Sequence, residues 1–189
     1  MEDTQFFWII PSSYGGIGLV WTGFGKKRQI QQILLPEPQR IVEEMMKSLY
    51  PRAVLHGESD LPDLVWKIEA YLAGQDVSFS PVDLGEKGIA GEKNLRRSIL
   101  LQTMDIPRGM VDSYGGLAAK IGHSGAARVV GTAMATNPFP LIVPCHRLVR
   151  VDGSIGQFGG GVPMKRGLLT MEGVLFDRKG KVLTANFYQ

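Results

Sequence analysis

The densest chemical signal in the chain is Asn137-Pro138-Phe139-Pro140-Leu141-Ile142-Val143-Pro144-Cys145-His146-Arg147. It carries the one cysteine among 189 residues. A solitary cysteine forms no internal disulfide and no cysteine-rich zinc site, so any chemistry it has is that of a lone thiol. The thiolate is the nucleophile, and neighbouring cations lower a thiol pKa from about 8.5. His146 and Arg147 supply an electropositive setting of that kind, which suits attack by sulfur. Leu141-Ile142-Val143 reads as an apolar strand leading into the thiol. Adjacent strand residues face opposite sides, so His146 either misses the sulfur or reaches it through a water. On these residues alone a second reading stays open. Free cysteine is among the most buried residue types, and Cys145 would then be a packing residue beside surface charges.

The elements that must position this segment follow from periodicity and punctuation. Ser113-Tyr114-Gly115-Gly116-Leu117-Ala118-Ala119-Lys120-Ile121-Gly122 reads as a short helix with a serine cap and a glycine stop. His123-Ser124-Gly125 makes a tight corner, and Ala126 to Ala135 forms a second helix poor in bulky side chains. Two short helices across a glycine-bearing corner make a helix-turn-helix pattern. Upstream, Leu95 to Met104 predicts a helix broken by Ile106-Pro107-Arg108-Gly109, with Arg96 and Arg97 on its solvent side. Downstream lie a glycine-rich loop, 153–161, a helix from about Pro163 to Glu172, and a hairpin over 174–182 turning at Lys179-Gly180.

The first third reads as mixed α/β. Phe6-Phe7-Trp8-Ile9-Ile10 and Ile17-Gly18-Leu19-Val20-Trp21 flank a turn-rich spacer and predict a hairpin. A third strand spans Arg28 to Leu35. Ile41, Val42, Met45 and Leu49 recur at helical spacing, and a second helix has Leu61, Leu64, Val65, Ile68, Tyr71 and Leu72 on one face. Trp8, Trp21 and Trp66 are read as core, and His56 and His123 as solvent-facing. Glycines 85, 88 and 91 punctuate a polar stretch that serves as a linker or a long surface loop. The boundary is placed there, giving an N-terminal α/β domain, 1–88, and a C-terminal domain, 89–189.

Hydrophobic residues make up 44% and charged residues 21%, which excludes a disordered chain and leaves enough apolar side chains for a core. No apolar run approaches the roughly twenty residues of a membrane span. The acidic start Met1-Glu2-Asp3 differs from a secretory signal, so the cytosol is the expected location, with nucleoid association in a prokaryote. A net charge of +3 permits nucleic-acid binding without establishing it.

Pro144-Cys145-His146-Arg147, preceded by Asn137-Pro138, resembles the active-site signature of the O6-alkylguanine-DNA alkyltransferases. Ala127-Arg128-Val129-Val130-Gly131 resembles that family's recognition helix. Gly153, Gly156 and Gly159-Gly160-Gly161, then Leu168-Leu169 and Glu172-Gly173, are similar to its downstream loop and helix. The resemblance runs from about Ile106 to Gly173 and is carried most specifically by the Pro-Cys-His-Arg tetrapeptide. The first 90 or so residues match only in style.

The resemblance implies a ribonuclease-H-like α/β N-terminal domain without catalytic residues. The C-terminal domain would be mostly α, with a winged helix-turn-helix. It implies DNA repair by direct reversal, in which an alkyl group passes from O6-alkylguanine, and from O4-alkylthymine, to Cys145 in a single turnover after nucleotide flipping. Cys145 would be the acceptor. His146 would take the thiol proton through a bridging water, and Glu172 would hold His146. Asn137 would brace the active-site turn, and Tyr114 would donate to guanine N3. Arg128 would enter the stack in place of the flipped nucleotide, at a cost of about a few kcal/mol for flipping. The DNA-facing set is Ser113, Tyr114, Ala127, Arg128, Gly131 and Ala135, whose small members allow close approach in a minor groove. The base pocket would be Pro140, Leu148, Phe158, Gly159 and Gly160, with the backbones at Cys145, Leu148 and Gly159 reading the base.

Phe158 stands where the family often has tyrosine and Gly159 where some members have serine. Arg150 and Asp152 add charge beside the loop. Some members hold zinc through N-terminal cysteines; here no cysteine lies outside the active-site segment, so no metal and no cofactor are expected. The expected partner is double-stranded DNA carrying alkylated bases, met by a monomer without a membrane. The competing readings are a non-catalytic helix-turn-helix DNA-binding protein, a protein that only flags alkyl lesions, and a thiol hydrolase using Cys145, His146 and Glu172.

Overall fold

The computed structural model describes residues 4–57, 61–85 and 88–188. Met1–Asp3, and Glu86 and Lys87 of the glycine-punctuated stretch, lie outside them. The chain divides into two compact units, Met1–Gly91 and Glu92–Gln189.

The N-terminal unit is α/β. β1 (Gln5–Ile10) and β2 (Ile17–Thr22) form the hairpin, in register from Gln5 opposite Thr22 to Ile10 opposite Ile17. β3 (Gln29–Leu34) pairs antiparallel with β2 across a bulge at Val20/Trp21. A two-residue strand, β4 (Val54–Leu55), pairs parallel with β1 and gives the order β3-β2-β1-β4. So short a strand carries no sequence periodicity. α1 (Val42–Leu49) turns Val42, Met45 and Met46 onto Val20 and Leu34 of the sheet. α2 (Pro62–Leu72) starts on a proline, where the missing N–H costs nothing, and buries Leu64, Val65, Ile68 and Tyr71.

Two aromatic expectations and one histidine need correction. Trp21 is in the core, but Trp8 is half-buried and Trp66 lies on the exposed face of α2, 59% accessible. His56 is half-buried, with its ring edge-on to Phe6 at 5.1 Å and to Phe24 at 5.7 Å. His123 is exposed.

The C-terminal unit is mainly helical. α3 (Asn94–Met104), α4 (Tyr114–Lys120), α5 (Ala127–Ala135) and α6 (Gly161–Met171) surround short irregular segments. Ser113 caps α4 by accepting from the Gly116 N–H at 2.8 Å. Gly122 and Gly125, at φ +77° and +87°, make the corner into α5, a backbone shape that L side chains avoid. Arg96 does not sit on a solvated face. Its guanidinium donates to Thr136 Oγ1 at 2.7 Å and to the Thr136 carbonyl at 2.6 Å, and it pairs with Glu92. It thereby caps the C-terminal end of α5.

A second small sheet joins β5 (Asp112–Ser113) to β6 (Leu148–Val149) in parallel. Val111, Val149, Leu169, Val174 and Val182 form a core cluster around it. The tail hairpin is present: Phe176 bridges Val182, and Gly180 turns the chain at φ +77°. Among the described residues no helix is long and apolar enough to cross a membrane. None groups three His, Cys, Asp or Glu side chains in a way that would hold a metal.

Candidate active site

Leu141-Ile142-Val143 is not a strand. The segment is a turn closed by Val143 N–H donating to the Phe139 carbonyl at 2.8 Å, with Leu141 in the left-handed region at φ +75°. A non-glycine residue there is strained, and such strain persists only where its surroundings hold it. Asn137 does much of the holding. Its Nδ2 donates to the Val143 carbonyl, and its Oδ1 accepts from the Phe139 N–H, both at 3.0 Å. Prolines at 138, 140 and 144 restrict the remaining torsions.

The turn delivers Cys145–Arg147 as a single 3-10 turn. Strand alternation therefore does not apply to Cys145 and His146. The imidazole runs inward, fully buried, with Nε2 3.0 Å from Glu172 Oε1 at the end of α6. Cys145 is 8% exposed and is a wall of a cavity of about 260 Å³. The other walls are Tyr114, Gly131, Met134, Ala135, Gln157, Phe158 and Gly159. The β5–β6 pairing explains the meeting of Tyr114 and Cys145. Ser113, just before Tyr114, lies opposite Val149, just after the Cys-His-Arg turn.

The charges are arranged differently from the sequence expectation. Arg147 is turned away from the sulfur. Its Nε donates to Glu172 Oε2 at 3.0 Å, its Nη2 to Oε1 at 2.8 Å, and its Nη1 to the Ile106 carbonyl at 2.6 Å. The cation facing Cys145 is Lys165 of α6, which has no exposed surface. Its ammonium donates to the Leu148 carbonyl at 2.6 Å and to the Gln157 carbonyl at 3.4 Å. A buried lysine is rare enough to ask for a reason. Here it ties β6 to the loop that forms the cavity's outer wall, and it places positive charge beside the thiol.

Burial pushes the Cys145 thiol above its ordinary value, although Asn137 and Lys165 pull against it. The resting group is therefore a thiol, and attack requires a base to take its proton. Burial also lowers His146, with Arg147 and Lys165 adding to that effect and Glu172 opposing it. The imidazole is therefore neutral at rest. Glu172 is raised by burial but held well below the carboxylate range by His146 and Arg147. An ionised carboxylate only accepts, so Nε2 of His146 carries the proton and Nδ1 the lone pair. Burial, and then Cys145, raise Tyr114, while Arg150 lowers it; the phenol stays protonated and can donate. Lys165 is brought down by burial to about 8. This arrangement can move a proton from thiol to imidazole while the sulfur attacks a group in the cavity, with a phenol ready to protonate what leaves.

The remaining expected residues distribute as follows. Ala127 and Gly131 are half-exposed, and Arg128 and Ala135 are exposed on α5. A Cβ added at Gly131 meets nothing within 4 Å, so internal packing does not require glycine there. Ser113 is buried as the α4 cap. Phe158 and Gly159 are cavity walls, whereas Pro140 and Leu148 are buried and Gly160 caps α6; none of these three is a wall. Met134 and Gln157 are walls that sequence reasoning missed. No motif marks them; helical spacing from Gly131 and adjacency to Phe158 are the only signals. No sequence motif marks the burial of Lys165 or its place beside Cys145.

The sequence model of the 6-O-methylguanine DNA methyltransferase DNA-binding domain matches residues 94–174. The methylated-DNA–protein-cysteine methyltransferase of Methanothermobacter thermautotrophicus is 40% identical over 114 residues, 60% of this chain and 62% of that protein. The protein of the same name from Mycobacterium tuberculosis is 36% identical over 131 residues, 68% of this chain and 76% of that one. The crystal structure of M. tuberculosis O6-methylguanine methyltransferase superposes with a TM-score of 0.70 at 27% identity, covering 89% of this chain and 93% of that one. A crystal structure of the M. tuberculosis OGT in complex with DNA superposes with a TM-score of 0.65 at 27% identity, covering 89% and 92%.

Proposed function

The chain belongs to the methylated-DNA–protein-cysteine methyltransferase family, and from that membership we propose that it repairs O6-alkylguanine in double-stranded DNA by moving the alkyl group onto Cys145. The observation that carries the reading is the position of the sulfur. It opens on a cavity faced by Tyr114 and is backed by a buried imidazole–carboxylate pair.

The proposed sequence of events follows from the chemistry of these groups. A base inside a duplex is out of reach, so the alkylated nucleotide is flipped into the cavity. α5 enters the minor groove with its small residues Ala127, Gly131 and Ala135 against the backbone, and Arg128 fills the vacated place in the stack. The Cys145 proton passes through a water to His146 Nδ1, while Glu172 stabilises the imidazolium. Sulfur attacks the O-alkyl carbon, the carbon–O6 bond breaks, and its electron pair stays on the purine. Tyr114 donates a proton at guanine N3 as that charge develops. The product is a thioether, which water does not cleave, so each molecule acts once. The same chemistry serves O4-alkylthymine.

The finer fold reading belongs with this proposal. The order β3-β2-β1-β4, with β4 parallel to β1, supports a ribonuclease-H-like N-terminal unit. The cap and glycine corner of α4–α5 support a helix-turn-helix, with the loop after β6 as its wing. A free reactive thiol suits the reducing cytosol.

The test is intact mass after incubation with a duplex bearing O6-methylguanine. One methyl group is gained per protein, and Cys145→Ala gains none. Repeated turnover, or lesion binding without any adduct, overturns the reading in favour of a hydrolase or a lesion-flagging protein.

A further inference from the structure

Arg147 is the charged member of the Cys145–Arg147 turn that the reaction described above leaves without a task. It is not a loose surface side chain. Its guanidinium touches both oxygens of Glu172, while Nη1 is anchored 2.6 Å from the Ile106 carbonyl in the segment between α3 and α4. A planar fork held at both ends fixes the carboxylate's orientation in a way that a single point charge does not. The Glu172 side chain is itself fully buried, and its Oε1 also lies 3.0 Å from His146 Nε2. His146 and Arg147 thus act on this carboxylate with opposite consequence. The imidazole gains basicity from Glu172, and the guanidinium takes part of that gain away.

We propose that Arg147 is a positioning residue for alkyl transfer: by clamping Glu172 it orients His146 with Nδ1 toward its task and keeps the imidazole an unprotonated base until the thiol gives up its proton. The proposal rests on the repair reading for its purpose, but not for its geometry. Without the clamp, a buried and unbalanced carboxylate faces the imidazole and favours its charged form, which has no lone pair to receive the thiol proton. With the clamp, the Glu172–Arg147 pair is close to neutral as His146 meets it. The imidazolium formed during transfer is then transient and returns its proton readily. The charged groups acting on His146 include Glu172 and Lys165 from the α6 region and Arg147 from its own turn, and the Phe158 ring stands nearly perpendicular to the imidazole with centroids 6.3 Å apart. Among these, Arg147 and Lys165 are the cations, and Arg147 is the one bonded to the carboxylate.

The test is a nitrogen-15 NMR titration of the full chain, which has three histidines, His56, His123 and His146. The His146 signals are those lost in His146→Asn. Wild-type protein should show neutral His146 protonated on Nε2. In Arg147→Gln the titration midpoint should move to higher pH, and Arg147→Lys, which restores the charge, should bring it back towards wild type. The low-pH limb of the methyl-transfer rate should move with the midpoint in each variant. An Nδ1-protonated wild-type ring overturns the proposal, and this measurement needs no variant to fold. An Arg147→Gln midpoint equal to that of wild type, with the rate reduced evenly at all pH, also overturns it and leaves Arg147 a purely structural tie. None of the titrations uses alkylated DNA, so failure of wild-type protein to gain a methyl group would sink the repair reading and leave this result standing.

Discussion

Between pH 7.5 and pH 9 this protein should become more resistant to urea, and Lys165 should be the cause. Its ammonium is buried, and its pKa falls from the ordinary 10.5 to about 8. In the window between those values the unfolded chain binds a proton that the folded chain has released. Stability therefore rises with pH through that window, and below about 8 the folded state carries the full cost of a buried charge. Integrated from pH 7.5 to pH 9, the gain is about 1 kcal/mol. With a urea slope of about 2 kcal/mol per molar, this moves the midpoint by about 0.5 M. Cys145 sets the upper limit of the window. Burial raises its folded pKa above the ordinary thiol value, so its contribution is lost as pH climbs from that ordinary value towards the raised one. The assay is urea unfolding followed by far-UV circular dichroism at pH 7.5, 8.25 and 9, on wild type and on Lys165→Met. The variant should lack the upward trend. An equal trend in both proteins would refute the attribution.

Two further outcomes can be checked directly. Arg128→Ala, which removes the exposed guanidinium of α5, should slow repair of duplex DNA much more than reaction with free O6-alkylguanine; single-turnover rates on the two substrates decide it, and equal slowing removes the stack-filling role. Asn137→Ala should cost about 2–3 kcal/mol in unfolding free energy by breaking two hydrogen bonds across a strained turn, and should lower the methyl-transfer rate as well; an unchanged urea midpoint would mean that the turn holds itself.

The parts of this molecule readable from sequence are those where one residue type serves one purpose. The β1–β2 hairpin, the Ser113 cap, the glycine corner and the Pro-flanked cysteine are of this kind. Periodicity misled where a short apolar run had two possible uses. Leu141-Ile142-Val143 is apolar because it is buried, and three residues are too few to separate a strand from a turn. Adjacency misled in the same way for Arg147, which neighbours the thiol in sequence but spends its charge on Glu172. The cation that does face the sulfur lies 20 residues downstream on α6, and only the tertiary fold brings it there. Trp66 and Arg96 show the converse. A bulky apolar side chain can stay in water, and a charged one can be consumed by a helix end.

The β5–β6 ladder is two residues long on each side, yet it pinches the chain at 112–113 and 148–149. Everything between those points, α4 and α5 included, is one closed bight of polypeptide leaving and returning through the same narrow clasp. Tyr114 sits immediately inside one end of it and Cys145–Arg147 immediately inside the other. If α5 takes hold of a duplex as proposed, the base of the bight is what joins that hold to the spacing of the phenol and the sulfur.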